Sequence, residues 1–250
     1  MWQIFKPSSR KFNLRWMDVD MHSHILPELD DGSKSVEQSV TLLDELMNLG
    51  LTKFYFTPHV FQEVYPNTPA RIKHAFEQVD RHIALQGGYA AEYMVDSCFD
   101  QQLAQDNVNL LALPGKHVLI EMSYMQESRS IEKNIFELQT LGYKPVLAHP
   151  ERYVFYHRST ESIERMRDLG CLLQLNLLSL TGYYGKNEKQ AASRLIEKRL
   201  IDLVGTDVHH ERHVNVIKRA LTTQDLSACL KRCSIKNQDL FGHIIPISQP

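Results

Sequence analysis

The chain has 250 residues, 43% apolar and 23% charged, with 28 Lys+Arg against 30 Asp+Glu and a formal net charge of −2. This balance excludes the broad basic surface that a nucleic-acid partner needs, so an anionic substrate has to be met by local charge. No stretch approaches the roughly 20 apolar residues of a membrane span, and the basic segment 1–20 lacks a signal-peptide run, so a cytoplasmic protein with no membrane insertion is expected.

From the amino end, residues 17–22 predict a first strand and 35–49 a helix, with Val36, Val40, Leu43 and Met47 on one stripe and Gly50 at its stop. Ser35 and Gln38 have capping-box spacing at its start. Residues 53–57 read as a second strand; Thr68-Pro69 then opens a helix carrying Ile72, Phe76, Val79 and Ile83. Further strands are predicted over 90–96, 117–123, 144–150, 171–178 and 201–207, and helices over 131–141, 161–169, 188–199 and 214–221. Cys98, Cys171, Cys229 and Cys233 fit neither a zinc ribbon nor a disulfide framework and read as free thiols.

Seven strands alternating with helices imply a parallel sheet with right-handed crossovers. No linker or repeat interrupts the chain, so one domain over 1–250 is expected, a barrel over 17–222 with a C-terminal extension over 223–250. Its tail from Asn237 to Pro250 is expected to wrap the outside or to reach a partner. An open doubly wound sheet is the alternative.

Chemistry-bearing residues gather at the strand ends. The first strand runs into Asp20-Met-His22-Ser-His24 and Asp30-Asp31-Gly32, the second into Thr57-Pro58-His59. Later strands carry Glu92, Glu121, His149-Pro150-Glu151-Arg152 and Asp207-Val208-His209. Parallel strand ends share one face, and His-x-His in extended backbone puts both rings on one side. Alone each element is weak: Asp30-Asp31-Gly32 is also a turn, Asp207 a possible helix cap, Glu92 or Glu121 a possible ion-pair partner. Their coincidence at successive strand ends points to metal. Five histidines and four carboxylates suit Zn, Mn or Fe and exceed the needs of one ion. Closely spaced ions stabilise both oxygens of a phosphoryl displacement and activate water at neutral pH. Arg152 and Arg212, each three residues beyond a proposed ligand, could hold phosphate oxygens in pairs or form surface ion pairs. Tyr183-Tyr184 lies in a loop that either lines a pocket or covers the barrel, and His210 and His213 are ambiguous.

The segments HSHILP followed by DDG, then Thr57-Pro-His59, Ile120-Glu-Met-Ser123, Ala148-His-Pro-Glu-Arg-Tyr153 and Gly205-Thr-Asp-Val-His209, occur in the order of a known family. From about Asp18 to Arg212 the chain resembles the polymerase-and-histidinol-phosphatase (PHP) superfamily, and within it the bacterial tyrosine phosphatases of capsule and exopolysaccharide synthesis. The resemblance implies an α/β fold, a distorted (β/α)7 TIM-like barrel, with two or three divalent transition-metal ions. It implies that His22, His24, Glu121 and Asp207 hold one ion, that His59 and His149 hold a second sharing Glu121, and that Asp31, Glu92 and His209 hold a third. Arg152 and Arg212 would bind the phosphoryl group. The implied activity is hydrolysis of phosphotyrosine on a protein, such as the tail of a membrane tyrosine autokinase; oligomerisation stays open. A histidinol phosphatase and a non-catalytic metal-binding regulatory barrel are the rivals. The chain departs from the family at Glu28-Leu29, where a glycine is common, and over 60–68, which is bulky and aromatic rather than basic.

Overall fold

The computed structural model describes residues 12–243, so most of the basic segment 1–20 and the last seven residues lie outside the described residues. Nine strands follow in chain order: β1 (Val19–Asp20), β2 (Lys53–Phe56), β3 (His59–Val60), β4 (Gly87–Tyr89), β5 (Glu92–Met94), β6 (His117–Glu121), β7 (Lys144–Ala148), β8 (Leu172–Asn176) and β9 (Leu203–Gly205). They form two sheets, β1-β2-β4 and β3-β5-β6-β7-β8-β9, and every pairing within them is parallel.

Two of the nine lie outside the seven predicted strands, β3 beyond the predicted 53–57 and β4 before the predicted 90–96. Pro58 has no N–H for a ladder and separates β2 from β3; Ala90-Ala91 separates β4 from β5. Backbone bonds still cross these breaks, from Ala90 N to Phe56 O at 2.8 Å and from Glu92 N to Pro58 O at 3.1 Å. At the far edge Asp207 N donates to His22 O at 2.8 Å and His24 N to Val208 O at 3.0 Å, joining the continuations of β1 and β9. Nearer the amino ends the Asn237 amide does the same work. Its Nδ2 donates to Val19 O at 2.9 Å and Val204 O at 2.6 Å, and its Oδ1 accepts from Val204 N at 3.0 Å.

Period-two alternation sorts the strand residues between two cores. Phe54, Phe56, Val118, Ile120, Leu147, Leu173, Leu175 and Val204 join the large core that also takes in the helices. Tyr55, Leu119, Val146, Ala148 and Leu203 point the other way into a smaller core with Val19 and Met21.

That smaller core corrects the expectation for the tail. The described part of the extension is no outer wrap: the helix Asn237–Phe241 plugs the smaller core, where Phe241 is fully buried.

Helix starts follow the capping signals. Ser35 accepts from Gln38 N at the head of Val36–Asn48, while Gln38 Oε1 reaches back to Lys34 N rather than to the cap. Thr68 caps Pro69–Asp80, which stops short of Ile83. Strand 171–178 was read too long: Asn176 caps a helix, Leu177–Thr181, that apolar side chains alone did not reveal. The last large helix, Glu211–Ala220, starts three residues before its apolar stripe. No helix among the described residues is long and apolar enough to cross a membrane.

Candidate metal centre

Because all strands run parallel, their carboxyl ends share one side, and the inward-facing positions there are polar. On β5 Tyr93 joins the large core, so Glu92 faces inward; on β6 Leu119 and Glu121 face inward around Ile120. β8 carries inward Gln174 and Asn176 between outward Leu173 and Leu175. His22 and His24 follow β1, His59 opens β3, His149 follows β7, and Asp207 and His209 follow β9. Asp31 stands on the loop after His24, with its side chain 57% exposed. His149 (φ 34°) and Asp207 (φ 51°) both adopt left-handed backbone, rare for such residues and rarer still before a proline like Pro150. Strain of this kind concentrates at functional sites.

The nine side chains come together in four groups whose ligand atoms lie within 4.8 Å of one another. These are His22–His24–Glu92, His22–His149–Asp207, His59–Glu92–Glu121 and His24–Asp31–His59–His209. This grouping differs from the division that the resemblance implies, in which Glu121 is shared. Glu92 Oε2 lies 3.3 Å from His22 Nε2, 3.2 Å from His24 Nε2 and 3.1 Å from His59 Nδ1, and its Oε1 lies 3.1 Å from His149 Nε2. Glu121 reaches only His59, at 2.8 Å, and His149, at 4.0 Å. Strand register is the reason: Glu92 pairs with Leu119, leaving Glu121 one inward position nearer the rim. Asp31 likewise groups with His24, His59 and His209 rather than with Glu92.

The residues fit cations on the structure's own terms. Gln174 Oε1 takes the His22 Nδ1 proton at 2.8 Å, and Asp30 Oδ2 takes that of His24 at 2.8 Å. In the neutral rings this leaves both Nε2 lone pairs facing each other, 3.1 Å apart, unless a proton or a metal ion stands between them. A cation between them relieves that opposition. Glu92 Oε2 and His59 Nδ1 are buried without a hydrogen-bond partner. Burial by itself would raise the Glu92 and Asp207 carboxyls, yet the surrounding imidazoles hold both below the usual carboxylate range. Burial would lower His24, but Asp30 and Glu92 outweigh it and push the ring up to about 10. The cluster thus demands positive charge at its centre. Outer partners that fix each ring's tautomer complete the pattern of a metal site.

Arg152 Nη1 donates to Asp207 Oδ2 at 2.8 Å. Arg212 is exposed on the first turn of Glu211–Ala220, its guanidinium 5.4 Å from the Tyr183 ring and without a bond to the cluster among the described residues. Tyr183-Tyr184 lines the site: the Tyr184 hydroxyl accepts from Asn176 Nδ2 at 3.0 Å, and the same amide donates to Asp207 Oδ2. His213 is buried, and its Nδ1 accepts from His209 N at 3.2 Å; burial and His210 push this imidazole down to about 3, so it acts as a neutral acceptor. Tyr153 ties two strand ends, donating to Ala148 O and accepting from Met122 N, each at 3.0 Å.

Asp30 is the main residue that the sequence reading passed over. Its carboxylate accepts from His24 Nδ1, Gly32 N and His59 N. The signal is the first aspartate of Asp30-Asp31-Gly32, a motif in which Asp31 alone is assigned a ligand role from the sequence. Gln174 and Asn176 announced themselves as polar residues at period two in an apolar strand, and also went unread.

In the loop before Asp30, Glu28 occupies the left-handed region at φ 60°, where the family's glycine would be unstrained. Its N donates to Ser33 O at 2.9 Å and its side chain accepts no bond. Glu28→Gly should therefore raise stability by up to about 1 kcal/mol after the glycine's chain entropy is subtracted. Chemical denaturation checks this, and a loss of stability would contradict it.

Residues 18–232 match the family model described as capsular polysaccharide synthesis, CpsB/CapC. Tyrosine-protein phosphatase YwqE of Bacillus subtilis is 31% identical over 220 residues, covering 86% of this chain and 84% of its own length. Tyrosine-protein phosphatase CpsB of Streptococcus pneumoniae is 31% identical over 205 residues, covering 77% and 83%. A solved structure from a study of YwqE and CpsB, titled unique metal-dependent tyrosine phosphatases, aligns with a TM-score of 0.72 at 28% identity, covering 87% of this chain and 96% of the other.

Proposed function

Since the chain belongs to the CpsB/CapC family of capsular polysaccharide synthesis, we propose that it is a metal-dependent protein-tyrosine phosphatase working on a (β/α)7 barrel of the PHP type. The observation that carries the reading is Glu92, buried among four imidazoles with an oxygen that no hydrogen bond satisfies, in a cluster whose Asp207 bonds an arginine with open donors.

In this reading His22, His24, Glu92 and Asp207 would form one ligand set, Glu92, Glu121 and His149 a second, and Asp31, His59 and His209 a third at the rim. Two or three Mn, Fe or Zn ions fit these oxygen and nitrogen donors. Bound there, such ions neutralise phosphoryl charge and acidify water enough to supply a nucleophile at neutral pH. The chain's own part is to hold and orient. Arg152 meets the phosphoryl oxygens with the donors that Asp207 does not use, in the paired geometry that a planar fork allows. Arg212, on the exposed helix turn, closes on the phosphate from the solvent side. Asp30 and Gln174 keep His24 and His22 in the tautomers that face the centre.

The substrate we favour is phosphotyrosine in the flexible tail of a membrane tyrosine kinase, in keeping with the family's place in capsule synthesis. The four cysteines are free, as suits a reducing compartment such as the cytoplasm.

A substrate panel tests the activity. Metal-loaded protein should hydrolyse phosphotyrosine peptides with a kcat/KM at least about a hundredfold above that for histidinol phosphate, the discrimination that about 3 kcal/mol of differential binding provides. Preference for histidinol phosphate would move the assignment to a small-molecule phosphatase. Tight metal content without turnover of either would leave a regulatory barrel.

A further inference from the structure

The Arg152 guanidinium carbon lies 4.4 Å from the centre of the Tyr124 ring and 4.1 Å from that of Tyr184. Nη1 is bonded to Asp207, and no other side-chain nitrogen of Arg152 has a protein partner among the described residues. Yet the side chain is only 17% exposed. A guanidinium carries five N–H donors in a rigid plane, so leaving most of them open in a confined place calls for an acceptor from outside the chain.

Both rings are themselves held. Tyr124 packs against the His149 and Tyr153 rings, with centroids 5.6 and 6.0 Å away, and its carbonyl accepts from Val154 N at 3.2 Å. The Tyr184 hydroxyl accepts from Asn176 Nδ2 at 3.0 Å and donates to Asp207 Oδ2 at 3.5 Å. The two come from segments sixty residues apart, one after β6 and one after the helix Leu177–Thr181.

We propose that Tyr124 and Tyr184 are positioning residues that clamp Arg152 in one plane, one edge of its fork fixed on Asp207 and the other presented to the phosphoryl oxygens. The inference rests on the phosphatase reading of this site. Two rings attract the cation through their faces and remove rotamer freedom before the substrate arrives, so less is lost when the phosphate binds.

The test uses the metal-loaded full chain. Calorimetry with inorganic phosphate and kinetics on a phosphotyrosine peptide are run for Tyr124→Leu and Tyr184→Leu, for the Phe variants at both positions, and for each Leu change combined with Arg152→Ala. Leu variants should keep their metal content while phosphate affinity and kcat/KM each fall about tenfold, the effect of one partly desolvated cation–π contact. Phe, which keeps the ring, should recover most of that loss. With Arg152 already replaced by Ala, either Leu change should cause no further loss. Independent, multiplying losses would overturn the clamp, as would unchanged phosphate affinity in the Leu variants. Should a Leu variant fail to fold or lose its metals, Tyr124→Phe decides, because a tenfold loss with that ring retained also overturns the clamp, whereas Tyr184→Phe removes the hydroxyl bonds to Asn176 and Asp207 as well. Wild-type protein whose phosphate affinity depends on the rings, but which turns over no phosphotyrosine, would sink the phosphatase reading and leave the clamp standing.

Discussion

Glu92→Gln should strip the centre of metal and lower phosphotyrosine hydrolysis by on the order of a thousandfold, the size of several kcal/mol of lost charge stabilisation. A neutral amide of the same shape supplies one oxygen without charge, where the carboxylate meets His22, His24, His59 and His149 at 3.1–3.3 Å. Glu121→Gln is the discriminating control, since Glu121 meets only two of those rings. It should keep part of its metal and lose less activity. Metal analysis beside steady-state kinetics measures both. A Glu92→Gln protein with full metal content, or a Glu121→Gln protein that is the worse of the two, would return the shared place to Glu121.

Arg152→Ala should reduce kcat by about a hundredfold or more, because the fork acts on charge that is greatest in the transition state. It should also weaken metal retention about tenfold, as losing a partner of a ligating carboxylate does, since Asp207 Oδ2 would keep only the Asn176 amide and a long bond, 3.5 Å, from the Tyr184 hydroxyl. Arg152→Lys should recover little, a point charge being unable to bond Asp207 and phosphate in one plane. Arg212→Ala should leave metal content as in the wild type and act mainly through KM, because its side chain has no bond to the cluster. Equal metal loss in both alanine variants would contradict the separate roles.

Much of this arrangement was legible in the residues, and the reasons are physical. Alternation of strands and helices is a property of local periodicity, so the parallel α/β order could be read directly, down to caps such as Ser35 and Thr68. The break at Pro58 follows from its missing N–H and matches the predicted strand end at 57, whereas that at Ala90-Ala91 depends on where neighbouring ladders pair, which periodicity does not encode. The helix Leu177–Thr181 escaped because leucines serve a buried strand and a buried helix equally well. At the site, the nine proposed ligands could be named because strand ends in a parallel sheet meet. Their division could not. Which carboxylate stands deepest depends on register, Glu92 beside Leu119, a relation between residues far apart in the chain. Asp30, Gln174 and the Arg152 clamp were likewise invisible as single letters, since their role is to hold another side chain.

The measurement that bears most directly on the central claim is transition-metal content of the purified chain, taken with phosphotyrosine-peptide hydrolysis before and after chelation. More than one ion per chain is expected, since nine ligand residues, Glu92 among them, exceed the needs of one. Chelation should abolish hydrolysis, and Mn, Fe or Co should restore it. Undiminished hydrolysis by metal-free protein would contradict the account at its centre.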